Sequence, residues 1–102
     1  MAIERHPLGY NAFMELPEAT HADLLRRLAR IEGQVRGVQA MLNDNRECRE
    51  IVAQISAAGK ALDQVGFKLL VAGMAHCLSD PVAAAENGFS QEEVERLFLK
   101  LA

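Results

Sequence analysis

An all-α fold is what this chain predicts, and three observations carry it. Apolar residues recur in alternating steps of three and four through two long stretches, the pattern of helix faces. No alternating strand pattern appears in the 102 residues. Half of the residues are apolar but only 5% are aromatic, a balance suited to helices that pack through Ala, Leu and Val. The expected protomer has three helices behind a loose arm.

Residues 1–19 hold Pro7, Pro17 and Gly9 and show no period. They read as a flexible N-terminal arm, leaving 20–102 as a single helical domain. Thr20 with Asp23 resembles a capping box with Asp in place of Glu, and opens the first helix. His21 reads as a neighbour of that cap. Leu24, Leu28, Ile31, Val35, Val38 and Leu42 then define one buried stripe. Asn43-Asp44-Asn45 signals a turn, with Asn45 placed to cap the next helix. The second helix should run from about Arg46 to Cys77 or Leu78. Along it Cys48, Ile51, Ile55, Ala58, Leu62, Val65, Leu69, Ala72 and His76 form a heptad seam. Gly59, Gly66 and Gly73 repeat every seven residues beside the seam. Glycine costs a helix interior up to about 1 kcal/mol relative to Ala, so three on one face predict close approach of another backbone. Ser79-Asp80-Pro81 ends this helix, because Pro81 lacks the donor that continuation needs. Glu86-Asn87-Gly88 is a loop, and Ser90 with Glu93 is a second capping box opening a short last helix through Val94, Leu97, Phe98 and Leu101.

Composition narrows the function. No apolar run approaches the ~18 residues of a membrane span, and the N-terminus lacks a signal pattern, so a cytoplasmic protein is expected. Two cysteines in a reducing compartment suggest metal binding or redox chemistry before a structural staple. The net charge of −3 argues against nucleic acid, but the distribution does not. Arg26, Arg27, Arg30 and Arg36 face a single acid, Glu32, within that stretch. A local basic stripe can bind phosphates in a chain that is acidic overall. No phosphate-cradling glycine loop and no acid–base constellation accompanies the thiols, so an enzyme is not expected.

Cys48 and Cys77 lie 29 residues apart on one predicted helix, roughly 43 Å at the rise of an α-helix. They cannot meet within a straight helix. They can meet if two copies pair antiparallel with Cys48 opposite Cys77. In that register Ile55 faces Leu70, Ala58 faces Phe67, and the twofold axis falls between Leu62 and Asp63. Two helices from each chain then make a four-helix core.

The block Arg27–Gln39 (RLARIEGQVRGVQ), with Cys48, Gln54-Ile55-Ser56-Ala57 and Ala61-Leu62-Asp63, closely resembles the copper-sensing CsoR repressor family over roughly residues 20–78. The resemblance implies an all-helical protein without a helix-turn-helix, whose antiparallel dimers pair into a flat tetramer. It implies a repressor that binds operator DNA through basic residues and releases it when an inducer reaches the cysteine site. Copper sensors of the family place a His four residues before the second Cys. Here that position is Gly73. Nickel/cobalt sensors carry a His where this chain has Cys77, and formaldehyde sensors lack this second Cys. The Cys pair without the His, and the stretch Val65-Gly66-Phe67-Lys68-Leu69-Leu70, look like the persulfide-sensing CstR branch.

The resulting expectation is a persulfide-responsive repressor with no cofactor and no metal. Cys48, in the first turn beside Arg46 and Arg49, is the attacking thiolate. Cys77 of the partner resolves it, giving an interchain di-, tri- or longer polysulfide bridge. Low-molecular-weight persulfides or polysulfides are the inducers. The alternative is a Cu(I)-responsive repressor using Cys48, Cys77 and His76, since two thiolates suit a soft ion. For His76 a capping or seam role competes with ligation. Arg26, Arg27 and Arg30, joined by Lys60 where many family members carry an Arg one position earlier, are the expected DNA contacts.

Overall fold

α1 spans Glu18–Asn43, starting three residues earlier than the Thr20–Asp23 capping pattern predicts. These elements come from a computed structural model, which describes residues 16–86, 88 and 90–102. Most of the expected arm (1–15), and Asn87 and Phe89 of the expected loop, lie outside the described residues. Pro17 is the N-cap of α1, with φ −55 and ψ 145, and no side chain caps it. The expected capping box does not form, because Asp23 is engaged by arginines one turn further on. A guanidinium offers a carboxylate a charge-assisted bond, stronger than a neutral backbone N–H.

The α1–α2 connection is the short turn the sequence predicts, Asp44–Glu47. α1 ends in a Schellman motif: Arg46 N–H donates to the Met41 carbonyl and Asn45 N–H to that of Leu42. Asn45 takes the left-handed conformation this end requires, with φ 54. It therefore closes α1 instead of capping α2. Glu47 opens α2 (Cys48–Ser79): its carbonyl accepts from Glu50 and Ile51, and its Oε1 accepts from the Arg49 N–H at 3.1 Å.

The chain divides into two compact units, Pro17–Lys68 and one that takes in Leu69–Ala102. In the first, the buried apolar residues are Leu24 and Ile31 of α1 with Ile51 and Val65 of α2. The expected stripes are thus only partly buried within one chain. Leu28, Val35 and Leu42 of α1 are exposed, as are Ile55 and Leu62 of α2, at 52% and 51%. A two-helix hairpin can cover only one side of each helix. An added Cβ at Gly59 would meet nothing within 4 Å, so among the described residues no other part of this chain comes close there.

The second unit holds one element beyond the expected three helices. Asp80 and Pro81 end α2, as predicted, and then start α3 (Pro81–Glu86). Asp80 Oδ1 accepts from the Ala83 N–H at 3.1 Å, and Pro81 takes the first helical position, where its missing N–H costs nothing. Gly88 carries the chain onward with φ 86. α4 (Gln91–Leu101) opens as predicted, with Ser90 Oγ accepting from the Glu93 N–H at 3.2 Å. Ser90→Ala should cost about 1 kcal/mol and speed amide exchange in α4 while leaving α1 unchanged, as hydrogen exchange by NMR would read. Among the described residues no helix is long and apolar enough to cross a membrane.

Candidate thiol and arginine sites

Cys48 is the first residue of α2 and is exposed. The helix N-terminus favours negative charge there. The two cations expected to assist are paired elsewhere. Arg46 donates to Glu50 at 3.1 and 3.3 Å, and Arg49 Nε lies 3.7 Å from Glu47 Oε2.

Cys77 lies in the last turn of α2 and is 7% exposed. It forms an apolar cluster with Ala84 of α3 and Val94 of α4, against which Leu70 and Met74 pack. The sequence placed Cys77 on the helix but did not anticipate its cover. The signal was available in Asp80-Pro81, a cap followed by a first-turn residue. Neither cysteine is in a disulfide within the chain. One opens α2 and the other lies in its last turn. Among the described residues no group of three or more His, Cys, Asp or Glu is placed to hold a metal.

His76 precedes Cys77, and among the described residues its buried Nε2 has no hydrogen-bond partner. Its backbone carbonyl accepts from Asp80 N–H at 3.0 Å and Ser79 Oγ at 3.1 Å. A buried ring nitrogen with no partner is unfavourable, and it fits a donor waiting for a ligand. Two thiols and such an imidazole make a donor set suited to a soft monovalent ion. Gly73 is buried one turn earlier.

The basic residues are unequal. Asp23 takes Arg26 Nη2 on Oδ1 at 3.0 Å and Arg27 Nε on Oδ2 at 2.9 Å. The Arg27 hydrogen bond, with the charges of Arg27, Arg26 and Lys68, holds the Asp23 carboxyl below its usual range against some loss of hydration. Arg30, Arg36 and Lys60 are exposed and in no ion pair among the described residues. Lys68 was missed as a site residue. Asp23 and Lys68 are equally far in sequence from the Asp44–Glu47 turn, so hairpin register could have paired them.

Comparison with known proteins identifies the lineage. A family model described as a metal-sensitive transcriptional repressor matches residues 20–100. The chain belongs to this repressor family. It is 38% identical over 97 residues to the copper-sensing transcriptional repressor CsoR of Bacillus subtilis, covering 95% of this chain and 91% of that one. It is 40% identical over 63 residues to the copper-sensing repressor RicR of Mycobacterium tuberculosis, 62% of this chain and 66% of that one. Among solved structures, CsoR with Cu(I) from Geobacillus thermodenitrificans has a TM-score of 0.73 at 36% identity, covering 90% of this chain and 96% of that one. The nickel-responsive regulator InrS has 0.66 at 32%, covering 79% and 91%. The chain is thus a CsoR-type repressor of transcription and not an enzyme. The expectation of no cofactor and no metal is overturned, since the family is metal-sensitive and these relatives sense copper or nickel.

Proposed function

We propose that this chain is a Cu(I)-responsive repressor that binds operator DNA and releases it on taking up copper. The likeness to copper-sensing relatives across nearly the whole chain carries the reading. Cys48 of one protomer and Cys77 of its partner are the thiolate ligands, and His76 supplies the third donor in place of the His that Gly73 lacks. The orphaned Nε2 of His76 supports that role. When bound, Cu(I) would supply a soft centre suited to these thiolates. The protein's part is to present one exposed thiol and one buried thiol at opposite ends of α2. Exposed Ile55 and Leu62 support antiparallel dimerisation of that helix. A dimer of dimers carries the DNA face, with Arg26, Arg27, Arg30 and Lys60 meeting phosphates.

A second reading rests on Gly73. With glycine at the copper sensors' histidine position, Cys48 can act as a sulfur acceptor. Its thiolate would take the outer sulfur of a persulfide, releasing the donor thiol. Cys77 of the partner would then attack the Cys48 sulfur and expel hydrosulfide, leaving a disulfide. One experiment separates the two: anisotropy of a labelled operator duplex under anaerobic titration with Cu(I) or with glutathione persulfide, with intact mass measured in parallel. Release at about one Cu(I) per protomer, without a covalent dimer, is expected. Release only by persulfide, with crosslinked protomers, would overturn the copper reading.

A further inference from the structure

Asp23 is the sixth residue of α1, and each of its oxygens holds a different arginine, at 3.0 and 2.9 Å. Lys68 of α2 adds its charge to the same carboxylate. One anion therefore holds two cations, both of which the DNA reading requires. A phosphate diester offers a guanidinium pair the same thing, two anionic oxygens in fork geometry. Of the other basic residues, Arg30, Arg36 and Lys60 have no such partner among the described residues.

Resting on the reading that Arg26 and Arg27 contact operator phosphates, we propose that Asp23 is an internal stand-in for a DNA phosphate. It competes for Arg26 and Arg27 and so sets the affinity of the repressor for its operator. Arg30 and Lys60 meet the duplex with their charges open, whereas Arg26 and Arg27 must exchange a carboxylate for a phosphate. The exchange weakens the complex below what the count of arginines implies. It leaves binding in a range from which an inducer can dislodge it. Ion pairs at this exposure are individually weak, so the exchange is fast and adds no kinetic trap.

The test is operator anisotropy with the full chain over a salt series, using the wild type, Asp23→Asn, Asp23→Glu, Arg27→Ala and the Asn/Ala double variant. Asp23→Asn should bind about three- to tenfold tighter at low salt, the scale of losing two exposed ion pairs. The gain should shrink as salt screens the charges. Asp23→Glu keeps a competing carboxylate and should stay near wild type. The gain should fall by about half in the double variant, because the effect acts through the arginines and only Arg26 remains to be freed. Equal or weaker binding by Asp23→Asn, with Arg27→Ala still weakened, would overturn the proposal and make Asp23 a positioning residue for the guanidiniums. A gain that persists undiminished without Arg27 would also overturn it, as a general charge effect. Unchanged binding by Arg27→Ala removes the DNA footprint itself, which is a separate failure.

Discussion

With serine at Cys48, operator DNA should stay bound at Cu(I) concentrations that release the wild type. The hydroxyl is a hard ligand and a poor partner for a soft ion. Losing a thiolate that touches the ion should cost more than the about 10- to 100-fold in affinity typical of losing a group that only supports a ligand. Because Cys48 is exposed at the first position of α2, the change removes no packing, and DNA affinity without inducer should be unaltered. Cys77 needs a different substitution. Serine there would bury a hydroxyl among Ala84, Val94, Leu70 and Met74, at about 1–3 kcal/mol if unpaired. Alanine fits the apolar cluster and tests the sulfur alone. Both variants should repress constitutively. If Cys48→Ser still released DNA at the wild-type Cu(I) midpoint, Cys48 would have no place in the inducer site.

Ala84→Leu should be the most damaging substitution in the C-terminal unit. Ala84 is 0% exposed and packs on Cys77, so three added carbons have no free space. Overpacking of this kind costs about 1–3 kcal/mol, read as an earlier melting transition by circular dichroism. The thiol should report it as well. Displacing α3 from Cys77 should raise the rate at which iodoacetamide alkylates Cys77 relative to Cys48, whereas in the wild type exposed Cys48 should react before buried Cys77. Leucine at exposed Ala85 is the control, with an effect within about 0.5 kcal/mol. Identical alkylation rates in Ala84→Leu and wild type would mean that α3 does not shield the sulfur.

The parts of the fold that local chemistry determines were legible in the sequence. The apolar periods gave α1 and α2, Asn43-Asp44-Asn45 gave the turn, and Ser90 gave the α4 cap. Misreadings arose where one residue had two possible partners. Asp23 could cap a helix or hold arginines, and two guanidiniums outcompeted one backbone N–H. Asn45 could open α2 or close α1, and its tolerance of positive φ decided for closure. Asp80-Pro81 both stops one helix and starts another, and only the stop was read. The thiols were correctly set at the two ends of α2. The proposed pairing of the two depends on a second chain, which one sequence describes only through the apolar residues it leaves uncovered, such as Ile55 and Leu62. The choice between copper and persulfide was steered by Gly73, a missing donor. The buried, partnerless nitrogen of His76 becomes visible only in three dimensions.

Placing one thiol at each end of a single helix has a consequence for dose. On the proposed pairing, a lone protomer holds two half-sites and no whole one, so inducer binding is second order in protein. Dilution should weaken inducer and operator binding together, by mass action. The number of repressor copies in a cell then becomes an input to the threshold of the switch, alongside the inducer itself. A gene that represses its own synthesis through such a protein would adjust its sensitivity as it adjusts its abundance.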